Sequence, residues 1–143
     1  MKAPLFDKIL TLSQEIANAS ANENDERRLI AYTKLQELCQ KGLGTKNDHP
    51  LQWEALADFT DDGDIALDIY QMALDKAEKF ALPQYSASVY LAMAQRYAEF
   101  EEKEKALNAA NLAVSFSKNL ENSENNQALT TEIEDFIATL SVV

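Results

Sequence analysis

This sequence predicts an all-α fold of about seven helices, on three observations. Glycine and proline number only 3 each in 143 residues while 46% of the chain is hydrophobic, which disfavours both a sheet protein and a disordered chain. Apolar residues recur every three or four positions within segments bounded by proline, glycine or clustered acids, the period of a helix with one buried face. Small residues repeat on two of these segments, at Ala66 and Ala73 and again at Ala106, Ala110 and Ala113, which lets helix axes approach closely. A chain of this length suits one domain burying roughly two thirds of its unfolded surface.

The first helix begins near Pro4 and carries the stripe Leu5, Ile9, Leu12, Ile16 and Ala19, ending between Ser20 and Asn24. Glu23, Asp25 and Glu26 suit the positive end of a second helix, continued by Ala31, Leu35 and Leu38. Gly42 and Gly44 end it by allowing positive φ. Pro50 opens a third helix, with Leu51, Trp53, Leu56, Ala57, Phe59 and Thr60 around much of its circumference. Asp61, Asp62, Gly63 and Asp64 form the turn into a fourth. There Ala66, Tyr70 and Ala73 mark one face, and Leu67, Leu74, Ala77 and Phe80 extend it. This helix runs through Ala81, and Leu82 and Pro83 break it, with Pro83 opening a fifth.

On the fifth helix Tyr90, Met93, Ala94 and Tyr97 recur at helical spacing, and Glu101 to Lys105 is a polar turn before the alanines of the sixth. The sixth has a second stripe, Ala109, Leu112, Phe116 and Leu120, which must be covered. The seventh helix is the candidate cover: Leu129, Ile133, Phe136, Ile137 and Leu140 line one face, Glu132, Glu134 and Asp135 the other, and Ser123 is its N-cap.

The charge count, 13 basic against 24 acidic residues for a net of −11, argues against a phosphate backbone as partner. Cys39 is the only cysteine and His49 the only histidine. One chain therefore offers no intramolecular disulfide and no structural zinc set, and Cys39 reads as a packed residue. Asp58 to Gly63 looks superficially like a calcium loop. Its third position is Thr60, however, and its twelfth is Ile69, where a bidentate glutamate is needed. Gly42 to Lys46 lacks the spacing of a phosphate-binding loop. No catalytic residues, cofactor or metal are expected. Leu5 and Phe6 run straight into Asp7 and Lys8, without the apolar region of a signal peptide, and no stretch reaches membrane-spanning length. A cytoplasmic location, away from membranes, is the expectation.

The order aromatic, large apolar, small, aromatic at Tyr90, Met93, Ala94 and Tyr97, followed by Ala106, Ala110 and Ala113, resembles a tetratricopeptide repeat. Trp53, Leu56 and Ala57 follow the same order in a looser copy that breaks at Thr60. Ala66 and Ala106 are 40 residues apart, against roughly 34 in a standard repeat. The resemblance implies a tetratricopeptide-like α-α superhelix in one domain, three helical hairpins plus a C-terminal capping helix. Its parts are an N-terminal hairpin over 4–42, a degenerate repeat over 50–82, the best-matching repeat over 83–120 and a cap over 123–141.

In that family the first helix of each repeat faces a concave groove that binds extended peptides. The resemblance thus implies partner-binding positions at Glu54, Asp58, Asp61 and Asp62 in one repeat and Ser88, Leu91, Gln95 and Glu99 in the other. These positions hold no lysine or arginine, so the grip on a C-terminal carboxylate seen in some members is not expected. An acidic groove favours a basic or amphipathic segment of another protein, by steering that weakens with salt. The function implied is a non-catalytic interaction module, an adaptor or chaperone-like binder. The alternative is a structural subunit that forms a homo-oligomer or joins a larger complex through apolar helix faces.

Overall fold

The computed structural model describes residues 3–141, the side chain of Ser141 excepted, and its regular structure there is entirely helical. Seven helices follow in order: α1 (Phe6–Ala21), α2 (Asp25–Gly42), α3 (Pro50–Asp58), α4 (Gly63–Lys79), α5 (Pro83–Glu99), α6 (Lys103–Ser117) and α7 (Glu124–Ser141). The chain divides into two compact units, Met1–Lys76 and Ala77–Val143, with the boundary in the last turn of α4.

In the first unit α1 and α2 pack as a hairpin through Ile9, Leu12, Ile16 and Ala19 on one side and Ala31, Leu35 and Cys39 on the other. The short α3 lies against α2 and, more lightly, α1. Its contact follows α2 at helical spacing. The Arg28 guanidinium donates to the Phe59 carbonyl at 3.0 Å, the hydroxyls of Tyr32 and Thr60 share a hydrogen bond of 2.8 Å, and the Cys39 thiol donates to the Gln52 carbonyl at 3.3 Å. Tyr70 and Lys76 of α4 reach Asp58 and Asp48, at the two ends of α3.

In the second unit α5 and α6 form a hairpin whose shared surface is largely alanine. Ala87, Ala94, Ala106, Ala110 and Ala113 are all fully buried. Side chains this small let the backbones close up, and the larger groups fill the margins. Helix α7 covers the hairpin: Ile133 is buried among Ala87, Leu91 and Ala113, and Phe136 and Ile137 also pack on Ala94, Ala109 and Ala110.

Helices α1, α4 and α5 stop in the same way, and none uses glycine. Glu23, Ala81 and Glu101 each take positive φ, of 54°, 53° and 60°. Each donates its own N–H to the carbonyl three residues back, and the next N–H reaches the carbonyl five residues back, at 2.8 Å from Asn24, 2.8 Å from Leu82 and 2.9 Å from Glu102. This is the Schellman closure, which satisfies carbonyls that would otherwise lack partners. Each left-handed residue costs more than glycine would.

Some packing expectations are corrected. Phe80 lies beyond the end of α4 and is exposed rather than extending its buried face. Helix α7 covers the Ala109, Ala110 and Ala113 side of α6, so Leu112 and Phe116 remain 44% and 37% exposed. The seventh helix thus buries Ala109 of the stripe assigned to it and leaves Leu112 and Phe116 open. Gly42 takes no positive φ. It is the buried last residue of α2, where a Cβ would meet the Gln52 amide at 3.5 Å, and Gly44 alone has the left-handed turn, at φ 75°.

Candidate functional site

The four acids expected to bind a partner in the first unit sit along α3 and its exit turn, and the fold uses most of them. Glu54 is half-buried. Asp58 is exposed but accepts the Tyr70 hydroxyl. Asp61 pairs with the Arg28 guanidinium at 2.9 Å while its own side chain stays 85% exposed. Asp62 caps α4, its carboxylate accepting the Ile65 N–H at 3.0 Å. These carboxylates have structural duties first, and the exposed flanks of Asp58, Asp61 and Asp62 remain open to solvent.

Of the four positions in the second unit, Gln95 and Glu99 are exposed on α5 and Ser88 is half-buried. Leu91 is a correction: it is 4% exposed, inside the cluster of Ala87, Ala113 and Ile133 under α7. The covering helix takes the face that the repeat register assigns to a ligand at this position.

The most highly organised polar site lies at the loop before α3. Asp48 is buried, its side chain 1% exposed, and accepts the Lys76 ammonium at 2.7 Å, the Gly44 N–H at 3.0 Å and the Trp53 indole N–H at 3.3 Å. Burial alone would raise its pKa. The hydrogen bonds from Lys76, Gly44 and Trp53, with the charge of Lys76, outweigh that and hold the carboxyl below its ordinary value. Beside it, His49 Nδ1 accepts the Leu51 N–H at 3.0 Å and so caps α3, with Pro50 filling the first turn. Burial lowers the His49 pKa against the opposing charge of Asp48. Cys39 is fully buried, and desolvation, with the charge of Asp48, pushes its thiol up to about 12. A thiol so placed is a packed group, not a nucleophile at neutral pH. The Gln52 side chain is buried too; its amide nitrogen donates to the Asn47 carbonyl at 2.7 Å. Together these groups pin the 43–49 loop to α3 and α4.

Two clefts lie along one side of the α1–α2 hairpin. The larger, about 670 Å³, has Leu5, Leu12 and Leu38 among its lining residues and Lys8, Lys34 and Lys41 at its rim. The smaller, about 450 Å³, continues towards the α1–α2 turn between Glu15, Ala19, Arg27 and Ile30. Sequence reading missed this side because its stripe on α2, Arg27, Ile30, Lys34, Leu38 and Lys41, mixes charge with aliphatic residues and so has no clear apolar signature. On α6, Leu112 and Phe116 form a second open apolar strip, with the Phe116 ring stacked on Tyr90 at 5.6 Å between centroids. Among the described residues no helix is long and apolar enough to cross a membrane. No protein-family model, curated protein or solved structure matches the chain.

Proposed function

We propose that this chain is a non-catalytic protein-interaction module of the tetratricopeptide-like kind, an adaptor or chaperone-like binder that holds an amphipathic segment of another protein in the cytoplasm. The observation that carries this reading is the open strip on α6. Leu112 and Phe116, one turn apart, stay exposed on a helix whose opposite side is packed down to alanine. Apolar groups that remain together at a surface favour a partner that covers them. In the same unit the exposed carboxylate of Glu99 on α5 favours a segment with a basic flank, which the chain's net charge of −11 draws in by long-range attraction.

The test is affinity capture from cells of the source organism with wild type and with Leu112→Glu/Phe116→Glu, after circular dichroism has shown that the variant folds. A protein retained by wild type, lost with the variant and weakened by salt supports the adaptor reading. Equal capture by both forms sinks it. A mass that doubles with concentration and reverts to monomer in the variant gives the strip to a second copy, the structural-subunit alternative.

A further inference from the structure

The α1–α2 hairpin has two long sides. On one, α3 and its exit turn meet Arg28, Tyr32 and Cys39 of α2. On the other, the stripe Arg27, Ile30, Lys34, Leu38 and Lys41 of α2 faces Lys8, Leu12, Glu15 and Ala19 of α1, with Leu5 just before it, across the two clefts, and no residue of α3 lines either. The larger cleft has a leucine floor. Around it stand three exposed lysines, Lys8, Lys34 and Lys41, whose ammonium groups make no hydrogen bond or ion pair with any described residue. Two carboxylates, Asp7 and Glu37, are also in the lining. Asp7 sits in the first turn of α1, where the helix dipole favours it. In a chain of net charge −11, a rim with more positive than negative groups runs against the prevailing sign and attracts what the rest of the surface repels.

The second unit shows how this chain fills a hairpin groove. Helix α7 lays Leu129, Ile133, Phe136 and Ile137 against α5 and α6. It carries Glu124, Glu132, Glu134 and Asp135 and no basic residue. The second unit thus seats an acidic amphipathic helix on a helical hairpin, and the first unit offers a hairpin cleft with the lysines that such a helix lacks.

We propose that the lysine-rimmed cleft of the α1–α2 hairpin docks an acidic amphipathic helix of a partner protein. Its apolar side chains enter between Leu5, Leu12 and Leu38, and its carboxylates pair with Lys8, Lys34 and Lys41. This is helix-in-groove recognition with the charge pattern setting partner choice. It goes beyond the reading based on the α6 strip and does not rest on it, because the two surfaces share no residue.

The test uses the full chain and a fluorescein-labelled, end-capped synthetic peptide with the sequence of residues 124–141, titrated by fluorescence anisotropy at low and high salt. Three exposed pairs are together worth about a tenfold change in affinity. The variant Lys8→Glu/Lys34→Glu/Lys41→Glu should bind at least about tenfold more weakly, and a peptide with its four acids changed to lysine should not bind wild type. Thr11→Trp, at an exposed lining position that leaves the charges alone, should block binding by filling the cleft. Absence of binding to wild type overturns the proposal. So does binding that ignores the lysine variant, as exchange with α7 in the second unit would give. Concentration-dependent dimerisation lost in the lysine variant overturns the assignment to a partner protein, by making a second copy the occupant.

Discussion

Replacing Asp48 with asparagine removes one charge and changes almost nothing in shape. One of its oxygens accepts the Trp53 indole N–H, and the other accepts both Gly44 N–H and the Lys76 ammonium. An asparagine can present oxygen on one side only, so either the indole or the ammonium and amide together face an NH₂ group. The Lys76 side chain is 15% exposed, too little for water to replace the lost partner fully. Breaking one member of a buried pair costs about 3–5 kcal/mol, and we expect Asp48→Asn to fall in that range at pH 7. The assay is urea unfolding followed by the fluorescence of Trp53, the chain's single tryptophan, which is buried beside Asp48. Acid gives a second reading. The folded pKa of Asp48 lies below its ordinary value, so its contribution is complete above the unfolded aspartate pKa of about 3.9 and is lost as pH falls through the folded value. The gap between wild type and variant should therefore hold from pH 7 to about pH 5 and narrow below about pH 4. A gap under about 1 kcal/mol at pH 7, or one that stays constant down to pH 3, would refute the reasoning. Lys76→Met should also destabilise, and the double variant by less than the two single losses added.

Ala81→Gly should raise stability by about 0.5–1 kcal/mol, because the residue already sits at φ 53°; a thermal melt would show an upward shift, and Ala81→Val a downward one. Ile133→Ala, at a fully buried position of α7, should cost about 2–5 kcal/mol by the same measurement and tests whether α7 is integral to the second unit. Cys39 should resist iodoacetamide in the folded protein at pH 8 and react at the rate of a free thiol in urea; mass spectrometry of the native sample would expose early labelling if the burial were wrong. His49 has a folded pKa below its ordinary 6.5. The folded state thus binds fewer protons, and stability should be full above about pH 6.5 and decline as pH falls through that value. His49→Asn keeps a capping side chain without the titration and should flatten that part of the pH–stability curve.

The helical class and most helix starts were legible because they rest on local chemistry. Pro50 and Pro83 open α3 and α5, and the Ser123 hydroxyl accepts the Asn126 N–H before α7. Helix ends were less legible. Glu23, Ala81 and Glu101 adopt positive φ with side chains that give no sign of it, and the hydrogen bonds that compensate belong to the backbone. Which face of a helix is covered was least legible. Leu91 and Leu112 are both leucines on amphipathic helices, and only the path of α7 decides that the first is buried and the second open. The acids proposed as a site came from the repeat register, and their charge only suggested the kind of partner. Their work as helix cap and as partners of Arg28 and Tyr70 depends on groups up to 33 residues away, which spacing along the chain does not reveal.

The alanine-lined interior also determines how this protein should be dissected. More than half of the buried apolar side chains among the described residues are already alanine. A systematic replacement of residues by alanine would therefore pass silently over most of the core. The informative scan runs the other way, towards bulk. A leucine placed at Ala94, Ala110 or Ala113 has no space to occupy and must push the helices of the hairpin apart, at about 1–3 kcal/mol for each overpacked position. Mutational tolerance along α5 and α6 would then follow side-chain volume rather than hydrophobicity, with glycine and serine accepted where valine and leucine are not.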